Sequence, residues 1–254
     1  MKDNCELLPG IEAAGLALFI KSEKTLVFSD THLGFEEELK SVGFMLPKFQ
    51  YKEIKNYLRK VLARIEKKEE IERIIINGDL KHVFGDISRQ EWNEVTDLID
   101  FLKSHCKKLI LIKGNHDTIL APIAQKMGVD LVDHVYLKKK GIYITHGHKI
   151  DKNKDITAAK TIIIGHGHPA LALTDSIRTE KVKCFLVGKW KNKKLIQLPS
   201  LNFITEGSDV LYEGTFSPFL EKNAKDFEVY GVEGFTVLEF GKLSSISDVL
   251  DNNR

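Results

Sequence analysis

The stretch Leu109-Ile110-Leu111-Ile112-Lys113-Gly114-Asn115-His116-Asp117 decides how this chain is read. An apolar run rich in isoleucine that gives way to a glycine reads as a buried strand feeding a loop. The loop then presents an amide, an imidazole and a carboxylate in succession. Four other strand ends finish in the same way: Phe28-Ser29-Asp30-Thr31-His32, Ile76-Asn77-Gly78-Asp79, Ile144-Thr145-His146-Gly147-His148 and Ile164-Gly165-His166-Gly167-His168. Each brings Asp or His to the C-terminal end of an apolar strand, the edge of an open α/β sheet at which ligands bind.

Working outward, Leu16 to Ile20 and Thr25 to Ser29 flank Lys21-Ser22-Glu23-Lys24 and read as a β-hairpin that delivers Asp30 and His32. A long connection follows from Leu33 to Gln50, with Glu36 to Val42 as a short helix. The apolar segment Phe44 to Phe49 is expected to find cover in the core, with a lid or a dimer contact as alternatives. Tyr51 to Lys68 carries apolar residues at 54, 57, 58, 61, 62 and 65, the spacing of one helical face, and Glu91 to Lys103 repeats it with Trp92, Val95, Leu98, Ile99 and Leu102. With strands at Arg73 to Ile76 and Leu109 to Ile112 between and after them, the order predicts a parallel or mixed sheet.

Leu131 to Leu137 and Ile142 to Thr145 flank Lys138-Lys139-Lys140-Gly141 and read as a second hairpin. Thr161 to Ile164 leads into His166. Beyond Pro169 come short strands at Leu171 to Thr174, Val182 to Trp190, Lys194 to Leu198 and Phe235 to Phe240, then a frayed tail from Ser244 to Arg254. The expected architecture is α/β: two mixed β-sheets packed as a sandwich with flanking helices, one domain over 1–243 and a flexible tail over 244–254.

The 254 residues suffice for one large α/β domain, and a formal charge of +2 gives no argument for nucleic acid without clustering. Cys5, Cys106 and Cys184 lie far apart, which fits a reducing compartment and core packing. Met1 to Gly10 lacks the basic-then-apolar order of a signal peptide, and no apolar run approaches the roughly 20 residues that span a bilayer. A cytoplasmic protein is expected, with no membrane partner.

The order Asp-x-His, Gly-Asp, Gly-Asn-His-Asp, His, Gly-His-x-His resembles that of the calcineurin-like metallophosphoesterases, roughly over residues 15 to 240. The resemblance implies their four-layer fold and two divalent ions sharing one site. Carried over residue by residue, Asp30, His32 and His168 would bind the first ion, Asn115, His146 and His166 the second, and Asp79 would bridge them. His116 would protonate the leaving oxygen or stabilise charge there, and Asp117 would orient that imidazole. Mixed carboxylate, amide and imidazole ligation suits borderline ions, manganese first, with iron, zinc or magnesium as alternatives. Two ions about 3.5–4 Å apart would generate a bridging hydroxide and clamp the phosphate oxygens. The implied partner is a phosphoester substrate; nucleic acid and a homo-oligomer stay open.

A finer resemblance, to the ICC-like phosphoesterases that include the DNA-ligase-associated phosphodiesterases, rests on Asp30 to Glu36, Leu46-Pro47 with Phe49-Gln50, Gly165 to Pro169 and Ser217-Pro218-Phe219-Leu220. It implies a phosphodiesterase acting on nucleic acid or a small nucleotide. A protein-phosphatase-like phosphomonoesterase is the alternative, against which stand Gly78-Asp79-Leu80-Lys81-His82 in place of Gly-Asp-x-x-Asp-Arg, and Asp117 in place of Glu. A non-catalytic binding module of the same fold is a third reading, weakened because all eight ligand and acid positions are intact.

Blander roles compete at several positions. Asp30 or Asp79 alone would read as a cap, and Asp117 as the N-cap of a helix over Thr118 to Lys126. His148 could line the cleft or be solvated, and His82 lies three residues past Asp79 without a motif of its own. His105 and His134 read as surface residues. Lys189 to Lys194, with Trp190 among them, could track a phosphate backbone, though such a tip is more often a solvated edge.

Overall fold

The computed structural model describes residues 5–44, 47–174, 179–214, 216–220 and 224–252. The chain opens as an antiparallel meander of β1 (Cys5–Leu8), β2 (Ile11–Ala14), β3 (Ala17–Ile20) and β4 (Thr25–Phe28). The expected hairpin is the β3–β4 pair; the two strands before it are short and half made of alanine and acids, too weak a pattern to read from sequence. After β4 come α1 (Phe35–Ser41) and α2 (Gln50–Glu66), then β5 (Arg73–Asn77), α3 (Arg89–Lys103), β6 (Lys108–Ile112), α4 (Ala121–Met127) and β7 (Asp130–Val132). Strands β4 to β7 pair in parallel, completing a seven-stranded sheet in chain order.

The second sheet holds β8 (His134–Leu137), β9 (Ile142–Thr145), β10 (Thr161–Ile164), β11 (Pro169–Thr174), β12 (Thr179–Trp190), β13 (Lys193–Gln197), β14 (Ser208–Asp209), β15 (Glu228–Glu233) and β16 (Thr236–Lys242). A short α5 (Lys154–Ala158) precedes β10, and α6 (Leu243–Asn252) closes the chain. Strands β9, β10 and β13 run parallel, whereas β12 is antiparallel to β11, β13 and β15.

Three expectations change. Leu131 to Leu137 is not one strand: β7 joins the first sheet and β8 the second, with Asp133 between them. Residues 244–252 continue α6 rather than fraying, and Leu243 is buried at its start. Phe44 is exposed instead of covered, while Leu46 falls outside the described residues.

Alternation on the second sheet explains the layering. Ile144, Ile163 and Ile196 enter the cluster that also holds Leu26, Ile75 and Leu111 of the first sheet. Their neighbours Tyr143, Ile162, Ile164 and Leu195 point the other way, into a smaller cluster with Ile156 of α5 and Leu243 of α6. Both faces of β10 are therefore dry, as its run of three isoleucines requires. On the far side of the first sheet, α2 buries Ile54, Leu58, Val61, Leu62 and Ile65, and α3 buries Val95, Leu98, Ile99 and Leu102. Burying a side chain of this size contributes about 1.5–3 kcal/mol, so these faces hold the helices in place.

The sheets are tied where the five loops meet. Ser29 bridges Ser200, with the Leu201 amide donating to the Ser29 carbonyl at 2.9 Å, and the Asn77 side-chain amide donates to the Thr145 carbonyl at 2.9 Å. The strand ends carrying Asp30, Asp79 and Asn115 thus face those carrying His146, His166 and His168.

Candidate metal centre

Five of the residues singled out from sequence adopt left-handed backbone conformations that are sterically unusual for non-glycine residues. They are Asp30 (φ 57°), His32 (φ 45°), Asp79 (φ 50°), His166 (φ 55°) and His168 (φ 43°). Such conformations cost about 1–3 kcal/mol each and persist only where the surroundings over-determine them. Here parallel strand ends turn sharply to aim side chains at one point. The Asp30 and His32 amides donate to the carbonyls of Gly78 and Asp79 at 3.1 and 2.9 Å, locking the first two loops together. Gly114 and Gly165 allow close approach: a β-carbon on Gly165 would lie 1.9 Å from Ser29 Oγ.

All seven carried-over ligands come together in two overlapping groups. In the first, His168 Nε2 lies 3.1 Å from His32 Nε2 and 3.4 Å from Asp30 Oδ1, and His32 Nε2 lies 3.8 Å from Asp79 Oδ2. In the second, His146 Nε2 lies 3.1 Å from Asn115 Oδ1 and 3.2 Å from Asp79 Oδ2, with His166 alongside. Asp79 touches both. Its other oxygen accepts the His116 amide at 2.9 Å, while the second oxygen of Asp30 accepts the His166 amide at 3.1 Å.

The donor set fits cations. The His146 Nδ1–H donates to the Asn77 carbonyl at 3.0 Å, so Nε2 presents a lone pair. That lone pair faces the oxygens of Asn115 and Asp79, and three acceptors at such distances repel unless a positive charge sits among them. Asp30 Oδ1 is buried without a hydrogen-bond partner, a costly arrangement that a cation would relieve. In the protein alone, the same field acts on protons. Burial opposes charge on His146, but its hydrogen bond to Asp79 and the charge of Asp30 overcome this and raise its pKa to about 9. His166 goes the other way, lowered to about 4 by burial and by His146. His32 falls well below the usual range through burial and His168.

Asp117 parts company with expectation. The His116 ring is held by its Nδ1–H donating to the His82 carbonyl at 2.5 Å, not by Asp117. Asp117 instead accepts from the amides of Gly114 at 3.0 Å, Leu80 at 3.1 Å and Lys81 at 3.3 Å. It clamps the Gly-Asn-His loop to the loop after Asp79. Nor is it the cap of α4, whose N-cap is Leu120. Burial and the charge of Asp79 raise the Asp117 carboxyl to about 6.

His148 lies beside His146 and His166, with ring centroids 5.3 and 6.1 Å away. His82 belongs to the cluster after all, its Nδ1 3.1 Å from that of His32. His105 and His134 stay outside, half-buried and paired with Glu66 and Asp155. On the basic tip, Lys193 donates to the carbonyls of Thr157 and Ala159 at the end of α5, at 2.7 and 2.6 Å. The half-buried Trp190 ring packs against Phe219 and has Lys191 over it at 4.3 Å, so these neighbours engage the indole.

Two supporting carboxylates went unread. Glu91, fully buried, accepts the amides of His82 at 3.2 Å, Val83 at 3.0 Å and Ser88 at 3.0 Å while Ser88 caps α3. The signal was present as Ser88-x-x-Glu91, a capping box. Glu36 accepts the amides of Phe49 and Gln50 at the start of α2, at 2.6 and 2.7 Å. The Gln50 side chain then donates to the Thr31 carbonyl at 2.9 Å, tying the long connection to the Asp30–His32 loop. No local pattern marks that pairing.

Residues 23–191 match the calcineurin-like phosphoesterase family. The chain belongs to that family. It is accordingly a metal-dependent phosphoester hydrolase. The phosphoesterase shares its fold with Pseudomonas putida nuclease MPE, at TM-score 0.63 and 18% identity over 91% of this chain and 94% of that one. A protein of unknown function, AQ665 from Aquifex aeolicus, aligns at TM-score 0.35 and 20% identity over 57% and 78% of the two chains. Vacuolar protein sorting 29 from Cryptosporidium parvum aligns at TM-score 0.39 and 15% identity over 86% and 97%. No curated protein sequence matches the chain significantly. Among the described residues, no helix is long and apolar enough to cross a membrane.

Proposed function

We propose that this phosphoesterase is a two-ion phosphodiesterase acting on nucleic acid or a small nucleotide. One observation carries the preference for diesters. The hollow of about 380 Å³ over the centre is lined by His32, Asp79, Asn115, His116, His166, Gly167, His168, Ser208 and Phe216, and among the described residues no Lys or Arg side chain lines it. Lys81, two residues past Asp79, is buried and donates to the Val83 carbonyl. A phosphomonoester brings a dianion, for which an Arg fork is the apt clamp. A diester brings one charge and an alkoxide that leaves poorly without a proton.

Asp30, His32 and His168 would hold one ion, Asn115, His146 and His166 the other, with Asp79 shared; manganese suits this oxygen and nitrogen set. Such a pair supplies Lewis-acid activation of water and neutralises charge on the phosphate oxygens. The chain contributes the rest. With Nδ1–H committed to the His82 carbonyl, His116 has Nε2 available to carry a proton to the leaving oxygen. The Asp117 clamp keeps Asn115 and His116 in register with Asp79.

The identity of the flanking groups is supported by two exposed aromatics. Phe84, 58% exposed, packs on the His116 ring with centroids 3.9 Å apart, and Phe216, also 58% exposed, lines the hollow beside Gly167. Exposed rings at the mouth of a phosphate site suit the faces of nucleobases. The test is kcat/KM with Mn²⁺ on bis(p-nitrophenyl) phosphate against p-nitrophenyl phosphate. The diester should be the better substrate; a tenfold preference for the monoester would reverse the assignment.

A further inference from the structure

A ligand imidazole has two nitrogens, and the one facing away from the ion needs a partner that fixes tautomer and ring angle. For His146 that partner is a backbone carbonyl, Asn77. His32 has a different arrangement. Its Nε2 faces His168 and Asp79, and its Nδ1 lies 3.1 Å from His82 Nδ1, a side chain with no motif of its own.

The protons can be placed by satisfaction alone. If His32 Nε2 is left bare for an ion, its proton is on Nδ1 and is donated to His82 Nδ1. His82 then carries its proton on Nε2, which lies 2.7 Å from Glu38 Oε2 on α1. His32 Nδ1, both ring nitrogens of His82 and Glu38 Oε2 are all paired in this arrangement. Reversing the His32–His82 bond would put the His32 proton on Nε2, among the groups expected to hold the ion.

His82 is well held for this task. Its ring packs against Phe35 with centroids 3.9 Å apart, and its amide donates to the Leu33 carbonyl at 2.9 Å. Its own carbonyl accepts from His116 Nδ1. We infer that His82 is a positioning residue, whose side chain sets the tautomer and angle of His32, whose carbonyl sets those of His116, and which is anchored by Glu38. This rests on the metal reading above and adds a residue that no ligand motif contains.

The test is Mn²⁺ binding to the chelator-stripped full chain, with free Mn²⁺ counted by electron paramagnetic resonance, so that activity plays no part. Wild type should bind two ions. His82→Ala should still bind two, with the weaker step loosened about 10–100-fold, the range for losing the partner of a ligand. His82→Asn, whose Oδ1 can accept in place of Nδ1, should return to within about threefold of wild type. A His82→Ala isotherm that overlays wild type overturns the inference. So does the loss of one whole equivalent in both variants, which would make His82 a ligand. Wild type that binds no Mn²⁺ fails the metal reading itself and the inference with it. Thermal melts of the stripped proteins check folding. Should His82→Ala not fold, Glu38→Ala at the surface replaces it: Mn²⁺ binding weakened about threefold or more supports the chain, and unchanged binding overturns it.

Discussion

Gly114→Ala puts one methyl group where the structure has no room. A β-carbon there would lie 2.0 Å from Asp79 Oδ1, 2.4 Å from the Asp79 backbone nitrogen and 2.8 Å from Asp79 Cγ. The backbone at Gly114 is not left-handed, so the conflict is one of space alone. Ordinary contact begins near 3.4 Å, which leaves the oxygen contact short by about 1.4 Å. Rotating the carboxylate cannot relieve it, because the backbone nitrogen is also too close. Either the Gly114 loop or the Asp79 loop must retreat by about 1 Å, and both are clamped by Asp117. A misplacement of this size near reacting groups costs about 10²-fold, or about 2.7 kcal/mol in the barrier. The assay is Mn²⁺-dependent hydrolysis of bis(p-nitrophenyl) phosphate, with Gly128→Ala as control. Gly128 ends α4 at φ 61° with nothing within 4 Å of a β-carbon, so that variant should lose about 1 kcal/mol of stability and keep its activity. A folded Gly114→Ala enzyme within about threefold of wild-type kcat/KM would refute the reasoning.

His116→Gln should leave Mn²⁺ content near wild type and lower turnover by about 10²–10⁴-fold, as loss of a general acid does; activity within threefold would assign the leaving-group proton elsewhere. Glu94→Gln tests a group away from the centre. Burial first, with the charges of Glu36 and Glu37 adding to it, raises the Glu94 carboxyl to about 7. An acid whose pKa rises on folding gives stability that is complete below its unfolded value, 4.5, and is lost as pH climbs through about 7. Gln stays neutral, so its melting advantage over wild type should be small at pH 5 and reach roughly 1 kcal/mol at pH 8, after discounting for the partial exposure of the side chain. An advantage that does not change with pH would contradict this.

The parts of the fold legible in the sequence were those in which one segment carries its own signal. Ile162 to Ile164 and Leu109 to Ile112 could only be buried strands, and the periodicity of α2 and α3 named the residues that pack. The candidate ligand positions were legible because each follows such a strand. What escaped reading depends on partners distant in sequence. Nothing local divides Leu131 to Leu137 at Asp133; the division comes from β6 claiming one half and β9 the other. Asp117 sits where a cap or an imidazole partner would, and only the fold shows that three backbone amides reach it first. His82 had a neutral sequence context, and its place depends on His32, 50 residues earlier.

The left-handed conformations at Asp30, His32, Asp79, His166 and His168 have an evolutionary corollary. Together they represent on the order of 5–15 kcal/mol of local strain, as large as the net stability of many domains. At each of these positions glycine would sit more comfortably than the residue present. A lineage no longer selected for hydrolysis would therefore be rewarded in stability for giving up these Asp and His residues, one loop at a time. The two sheets, whose burial does not depend on those side chains, would survive the exchange. In this architecture the chemistry is the first thing that drift erodes, and the scaffold the last.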